Sequence, residues 1–246
     1  MRERGPLATG GVCAMALAVS YVVAGATYLV LPADQKGGTI LHEPARYLES
    51  VARGSAWLVA NHLALGIGAL FGIAVVIAVW SWTRRVAPGW MPWLSALGAL
   101  GFAVTAVDNF QIAALDPMRA ADFSRADAIG RSAMAATNSL VSIDPQMWLS
   151  FGLTGGWILA VSWVVARRRL LPRLHAWLGA LAAASYLFIE IASVTGTPEL
   201  LVISAGLGGL VVGPVWYTWL GVALWNTRRQ EAPGLAPAVE KGRAFA

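Results

Sequence analysis

The chain has 246 residues, of which 57% are hydrophobic and 13% charged, about half the charged share of an ordinary soluble domain. With a mean hydropathy of +0.62, this excludes a water-soluble globule and requires that much of the apolar surface face lipid. The net charge of +5 does not mark a nucleic-acid binder, because the basic residues flank apolar runs rather than forming a patch interleaved with aromatics.

Six runs close to the roughly 20 residues that cross a bilayer fall at 11–31, 56–82, 91–115, 146–166, 175–195 and 200–225. In lipid every backbone N–H and C=O must be paired within its own segment. The predicted fold is therefore all-α, a polytopic transmembrane helical bundle of six spans within one domain at 1–230, followed by a disordered cytoplasmic tail at 231–246. Arg2 and Arg4 precede the first run, which ends at Leu31-Pro32 without a small-x-small cleavage site and reads as a retained span rather than a signal peptide. Cys13 is the only cysteine, so neither an intrachain disulfide nor a thiolate cluster is expected.

Basic residues set the expected orientation, because short cytoplasmic loops are rich in Lys and Arg. Arg84 and Arg85, then Arg167, Arg168, Arg169 and Arg173, then Arg228 and Arg229 occupy alternate loops. With Arg2 and Arg4 they place both termini in the cytoplasm. On the outer side the segments Pro32 to Ser55 and Asp116 to Pro145 read as long loops, and Gly196-Thr197-Pro198-Glu199 as a turn without a base. Pro44 opens a short amphipathic helix with Tyr47, Leu48 and Val51 on one face and Glu49 and Arg53 spaced i, i+4. Ala120 to Ser139 reads as a second one.

Trp80, Trp82, Trp90, Trp93, Trp163, Trp177, Trp219 and Trp225 gather near the expected cytoplasmic boundary, and Trp57 and Trp148 mark the outer one, as in an aromatic belt. Glycines recur at four-residue spacing at Gly68 and Gly72, Gly152 and Gly156, and Gly209 and Gly213, a pattern that permits close helix packing. Pro214 is expected to kink the sixth span. Two stretches share the pattern Arg-Arg-x-x-Pro-x-x-x-x-Trp-Leu-x-Ala-Leu, one from Arg84 through Pro88 and Trp93, the other from Arg168 through Pro172 and Trp177. This echo suggests a parallel repeat of spans two and three in spans four and five.

Trp57-Leu-Val-Ala-Asn-His62-Leu-Ala-Leu-Gly-Ile-Gly, Leu170-Leu171-Pro172-Arg-Leu-His-Ala-Trp177-Leu-Gly-Ala-Leu and Gly213-Pro214-Val-Trp-Tyr-Thr-Trp219-Leu-Gly resemble a group of bacterial six-helix integral membrane proteins catalogued as a domain of unknown function. The resemblance implies the topology and a bacterial inner membrane. It carries no active site to transfer.

Polar residues inside the spans are the candidates for function, since ionisable groups there are costly and pair with one another. Thr105, Asp108 and Gln111 share a face of the third span, with Asn109 beside them. Tyr186, Glu190 and Ser193 share a face of the fifth. Asn61 and His62 open the second span from the outside, and Asp144 and Gln146 open the fourth. No Lys or Arg lies within a span, so the acids pair with His62, amides and hydroxyls or stay protonated. Asp108, Glu190 and His62 are the candidate catalytic residues, with Asn61, Asn109, Gln111, Asp144 and Tyr186 as candidate substrate-binding residues.

Two functions fit this constellation. In one, a carboxylic acid protonates a lipophilic, isoprenoid-like substrate while a second group accepts a proton, by the acid/base logic of the small polytopic terpene cyclases. In the other, the chain is a proton- or cation-linked carrier or accessory subunit without catalysis. The lysines, Lys36 and Lys241, lie outside the spans, which excludes Schiff-base chemistry. The three histidines show no metal-ligand spacing, and neither a phosphate loop nor a nucleophile elbow occurs. No cofactor or metal is expected, the lipid bilayer is the expected partner, and nucleic acid is not.

Overall fold

The computed structural model describes residues 5–138, 142–144, 147–195, 197, 200, 203–204 and 206–230. Arg2, Arg4, Gln146, the Pro198-Glu199 turn and the tail at 231–246 lie outside them, as do the side chains of Arg228 and Arg229.

The described residues are helical and contain no strand. The elements are α1 (Pro6–Val30), α2 (Gly37–His42), α3 (Pro44–Arg53), α4 (Ala56–Thr83), α5 (Met91–Arg125), α6 (Ala128–Ala136), α7 (Leu153–Arg168), α8 (Arg173–Thr195) and α9 (Gly213–Gln230). A turn of π-helix, Trp148–Gly152, leads into α7, and a longer one, Gly206–Val212, leads into α9. Six helices are long and apolar enough to cross a membrane, α1, α4, α5, α7 and α9 with their π-turns, and α8. The chain is a membrane-spanning helical bundle.

The spans form a closed ring in chain order. α1 packs on α4, α4 on α5, α5 on α7 and α7 on α8; α8 meets the π-turn before α9, and α9 returns to α1. The middle of the ring is filled by side chains rather than left as a channel. Trp157 contacts Phe102 and Trp216 edge-on, Trp216 contacts Tyr217, and Tyr217 meets Tyr21. Tyr186 donates to the Tyr21 hydroxyl at 3.0 Å. This aromatic chain ties α5, α7, α9, α1 and α8 together.

Of the glycine pairs, only Gly68 and Gly72 both mediate packing, against Ser20 and Phe102. Gly156 and Gly209 face open space, and Gly213 is turned toward the Gly208 carbonyl of its own span. A backbone-to-backbone approach between spans lies elsewhere, between Gly11 on α1 and Gly221 on α9. Pro214 has no N–H to offer the carbonyl four residues back, and the π-turn ends just before it.

The third span departs from the sequence expectation. Its helix does not end near Leu115 but runs 35 residues to Arg125, through Pro117. Beyond Leu115 it packs on α3, where Tyr47, Leu48 and Val51, joined by Leu58 of α4, close a small core with Ala120 and Phe123. Burial there offsets the hydrogen bond that Pro117 removes. Ala120 to Ser139 is accordingly not one amphipathic helix: its first third belongs to α5, the chain breaks at Ala126, and α6 begins at Ala128 with Asp127 as N-cap, its carboxylate accepting from the Gly130 N–H.

The expected helix at Pro44 is present as α3, with Pro44 at its first position and Tyr47, Leu48 and Val51 buried. Arg53 approaches Asp34 rather than Glu49, and Arg46 pairs with both Asp34 and Glu43. Gln35 staples the chain to the end of α3 by donating to the carbonyls of Ser50 and Gly54 at 3.0 and 2.7 Å. Residues 31–55, 126–138 and 142–144 thus cover one end of the bundle, the capped end. The opposite, arginine-bearing end carries the short α4–α5 and α7–α8 turns.

Candidate functional site

At the capped end, consecutive turns of α5 present Asp108, Gln111, Ile112, Asp116 and Arg119 along one face, because positions three and four apart stack on a helix. With Ile40, Asn138 and Ser142 they line a cavity of about 40 Å³. A water needs roughly 10–15 Å³ on this measure, so the cavity has room for about three.

The charged groups here are held by identifiable partners. Asp108 accepts from the Ser142 hydroxyl at 2.9 and 3.0 Å and from the Ile143 N–H at 3.1 Å. Arg119 donates to Asn138 Oδ1 at 2.8 Å. Asp116 accepts from the Tyr47 hydroxyl at 2.5 Å, within the short range of charge-assisted O–H···O bonds. Burial first, and then the negative Asp116 beside it, hold the Tyr47 phenol above its ordinary value. Gln111 presents a buried Oε1 with no partner among the described residues.

His62 lies behind this face. Asn109 Nδ2 donates to the Thr105 carbonyl at 2.8 Å, which turns Asn109 Oδ1 toward His62 Nδ1 at 2.7 Å. Since Oδ1 only accepts, the network assigns the proton to Nδ1 and leaves Nε2 as an acceptor.

The remaining sequence candidates sit elsewhere. Asn61 points at α1, donating to the Ala24 carbonyl and the Thr27 hydroxyl, and so fastens two spans together. Tyr186 is in the central aromatic chain. Asp144 accepts from the N–H and the hydroxyl of Ser150 at 2.7 and 2.8 Å and so caps the π-turn before α7. Glu190 lies against Gly152 of that same turn, with one buried carboxyl oxygen unpartnered among the described residues. Of these candidates Asp108 and Gln111 line the cavity, Asn109 and His62 pair with each other, and Asp144 and Glu190 lie at the π-turn of α7. Glu190 does not line the cavity that Asp108 lines.

Sequence reasoning missed Asp116, Arg119, Asn138 and Ser142, all within the stretch read as a loop. The signal was there: Asp108, Ile112, Asp116 and Arg119 continue one helical face across the expected boundary at Leu115. Among the described residues no group of three His, Cys, Asp or Glu is placed to hold a metal ion.

No curated protein matches this chain, and no solved structure does. A family model does, over residues 9–225, which reaches into all six spans. The chain belongs to the family described as a domain of unknown function (DUF4386).

Proposed function

We propose that this chain is a small carrier or accessory membrane subunit whose capped-end cavity binds one proton or one monovalent cation. The observation that carries this reading is the charge of the lining. Two carboxyl groups, Asp108 and Asp116, face one guanidinium, Arg119, around a space for about three waters. One added positive charge balances them, and the amide and hydroxyl oxygens of Gln111 and Ser142 supply neutral donors for it.

The cavity size disfavours the alternative, acid/base chemistry on an isoprenoid. Ligand pockets for such molecules run to about 300–1,000 Å³, several times the 40 Å³ found, and Asp108 and Glu190 do not share it. In this reading the protein sits in a bacterial inner membrane with the arginine-bearing turns and both termini on the cytoplasmic side, as the distribution of basic residues requires.

The test is calorimetric titration of the purified protein with sodium, potassium and ammonium chlorides, paired with proton uptake from mildly acid to neutral pH. A single binding event for one cation, or one proton taken up, that is lost in Asp108→Asn supports the reading. Asn keeps an oxygen for Ser142 and Ile143 to donate to, so the fold survives the change. Identical titrations for the wild type and Asp108→Asn, with no event for any cation, overturn it.

A further inference from the structure

The repeated Arg-Arg-x-x-Pro motif plays no part in the capped-end site. Its two copies form the α4–α5 and α7–α8 turns of the arginine-bearing end, and α5 packs directly on α7. Trp90 at the start of α5 meets Trp163 of α7 with ring centroids 5.5 Å apart, which brings the two turns side by side. Arg84 and Arg85 on one turn and Arg167, Arg168, Arg169 and Arg173 on the other are all exposed. Neither turn contains an acid, and no described carboxylate pairs with any of the six.

The aromatic residues repeat as well. Trp93 and Trp177, which occupy the same position in the two copies, are 75% and 74% exposed. Rings so placed at the ends of spans sit at headgroup depth. Arg169 adopts the left-handed conformation, φ 54, at the end of α7, a position that glycine fills most easily and that here carries a guanidinium.

From this juxtaposition we propose that the paired turns form a binding surface for the phosphate of an anionic phospholipid. The guanidinium groups are suited to phosphate oxygens, which they bind through paired N–H donors, and the flanking Trp93, Trp163 and Trp177 border the acyl chains beneath. A zwitterionic lipid offers the same phosphate but cancels its charge, so the surface discriminates by net headgroup charge.

The experiment is native mass spectrometry of the intact protein released from neutral detergent after incubation with phosphatidylglycerol or phosphatidylcholine. Phosphatidylglycerol adducts are expected to persist where phosphatidylcholine is lost. Retention should weaken about fivefold for each arginine removed in R84Q/R85Q and in R168Q/R169Q. The same two substitutions at the capped end, R46Q/R53Q, should leave it unchanged. Equal retention of the two lipids, or phosphatidylglycerol retention that survives both arginine-pair variants, or an equal loss in the capped-end control, overturns the proposal.

Discussion

Tyr47 of α3 donates its hydroxyl hydrogen to Asp116 of α5 at 2.5 Å, and neither residue is more than 3% exposed. The bond joins the covering segment at the capped end to the helix that carries the candidate site. It places a carboxyl group one turn from Arg119 and two turns from Asp108, so the cap and the charge of the cavity are set by one contact. Closing the site and holding its charge are therefore coupled.

Removing that hydroxyl leaves the Asp116 carboxyl buried without its donor. Tyr47→Phe should therefore destabilise the protein by about 1.5–3 kcal/mol, the range for hydrogen bonds to charged groups. Thermal unfolding in detergent measures it, and Asp116→Asn supplies the second edge of a double-mutant cycle. Strictly additive effects of the two changes would mean that the contact carries no coupling energy.

The same phenol predicts alkaline behaviour. Tyr47 is held above its ordinary value of 10.0 by burial and by the adjacent Asp116, so the folded state favours the protonated form. Its stabilisation is complete below pH 10 and is lost as pH rises beyond that, where the unfolded chain ionises and the folded one does not. Wild-type melting temperature should fall above pH 10, and Tyr47→Phe should flatten part of that decline, starting from its lower plateau. A variant whose alkaline curve runs parallel to the wild type would show that Tyr47 ionises freely in the fold.

The six spans and α3 were legible because their signals are local: continuous apolar length for the spans, and Pro44 with Tyr47, Leu48 and Val51 on one face for α3. The site was legible only in part. Asp108, Asn109, Gln111 and His62 stand out as polar residues inside apolar runs, but Asp116 directly precedes Pro117 and Arg119 follows it, where a helix is ordinarily expected to stop. That α5 continues depends on packing against α3 from 69 residues earlier in the chain, which no local pattern encodes. Polarity within an apolar run groups Asp108 with Glu190, whereas in the fold Glu190 lies against Gly152 of the π-turn before α7.

Asn61 separates fastening from function, although it adjoins His62 in sequence. Its amide donates to the Ala24 carbonyl and the Thr27 hydroxyl, and it reaches no residue of the cavity. Asn61→Leu removes two hydrogen bonds worth about 0.5–1.5 kcal/mol each and should lower the melting temperature. Cation or proton binding per folded molecule should stay as in the wild type. A binding defect that exceeds the loss of folded protein would place Asn61 in the site after all.

The helix contacts make opposite predictions for two glycines. At Gly221 a Cβ would lie 2.7 Å from the Gly11 carbonyl oxygen, and at Gly11 one would lie 2.8 Å from that of Gly221. Because the obstruction is backbone on both sides, α1 and α9 must separate to admit a methyl group, and the ring of spans opens at that seam. Gly221→Ala should cost about 1–3 kcal/mol, as overpacking does. At Gly156 nothing lies within 4 Å of the added carbon, so Gly156→Ala should gain about 0.5–1 kcal/mol from helix propensity. Thermal unfolding of the two variants beside the wild type reads both signs at once. A neutral Gly221→Ala would show that α1 and α9 do not meet at this seam, and with it the closed ring would fail.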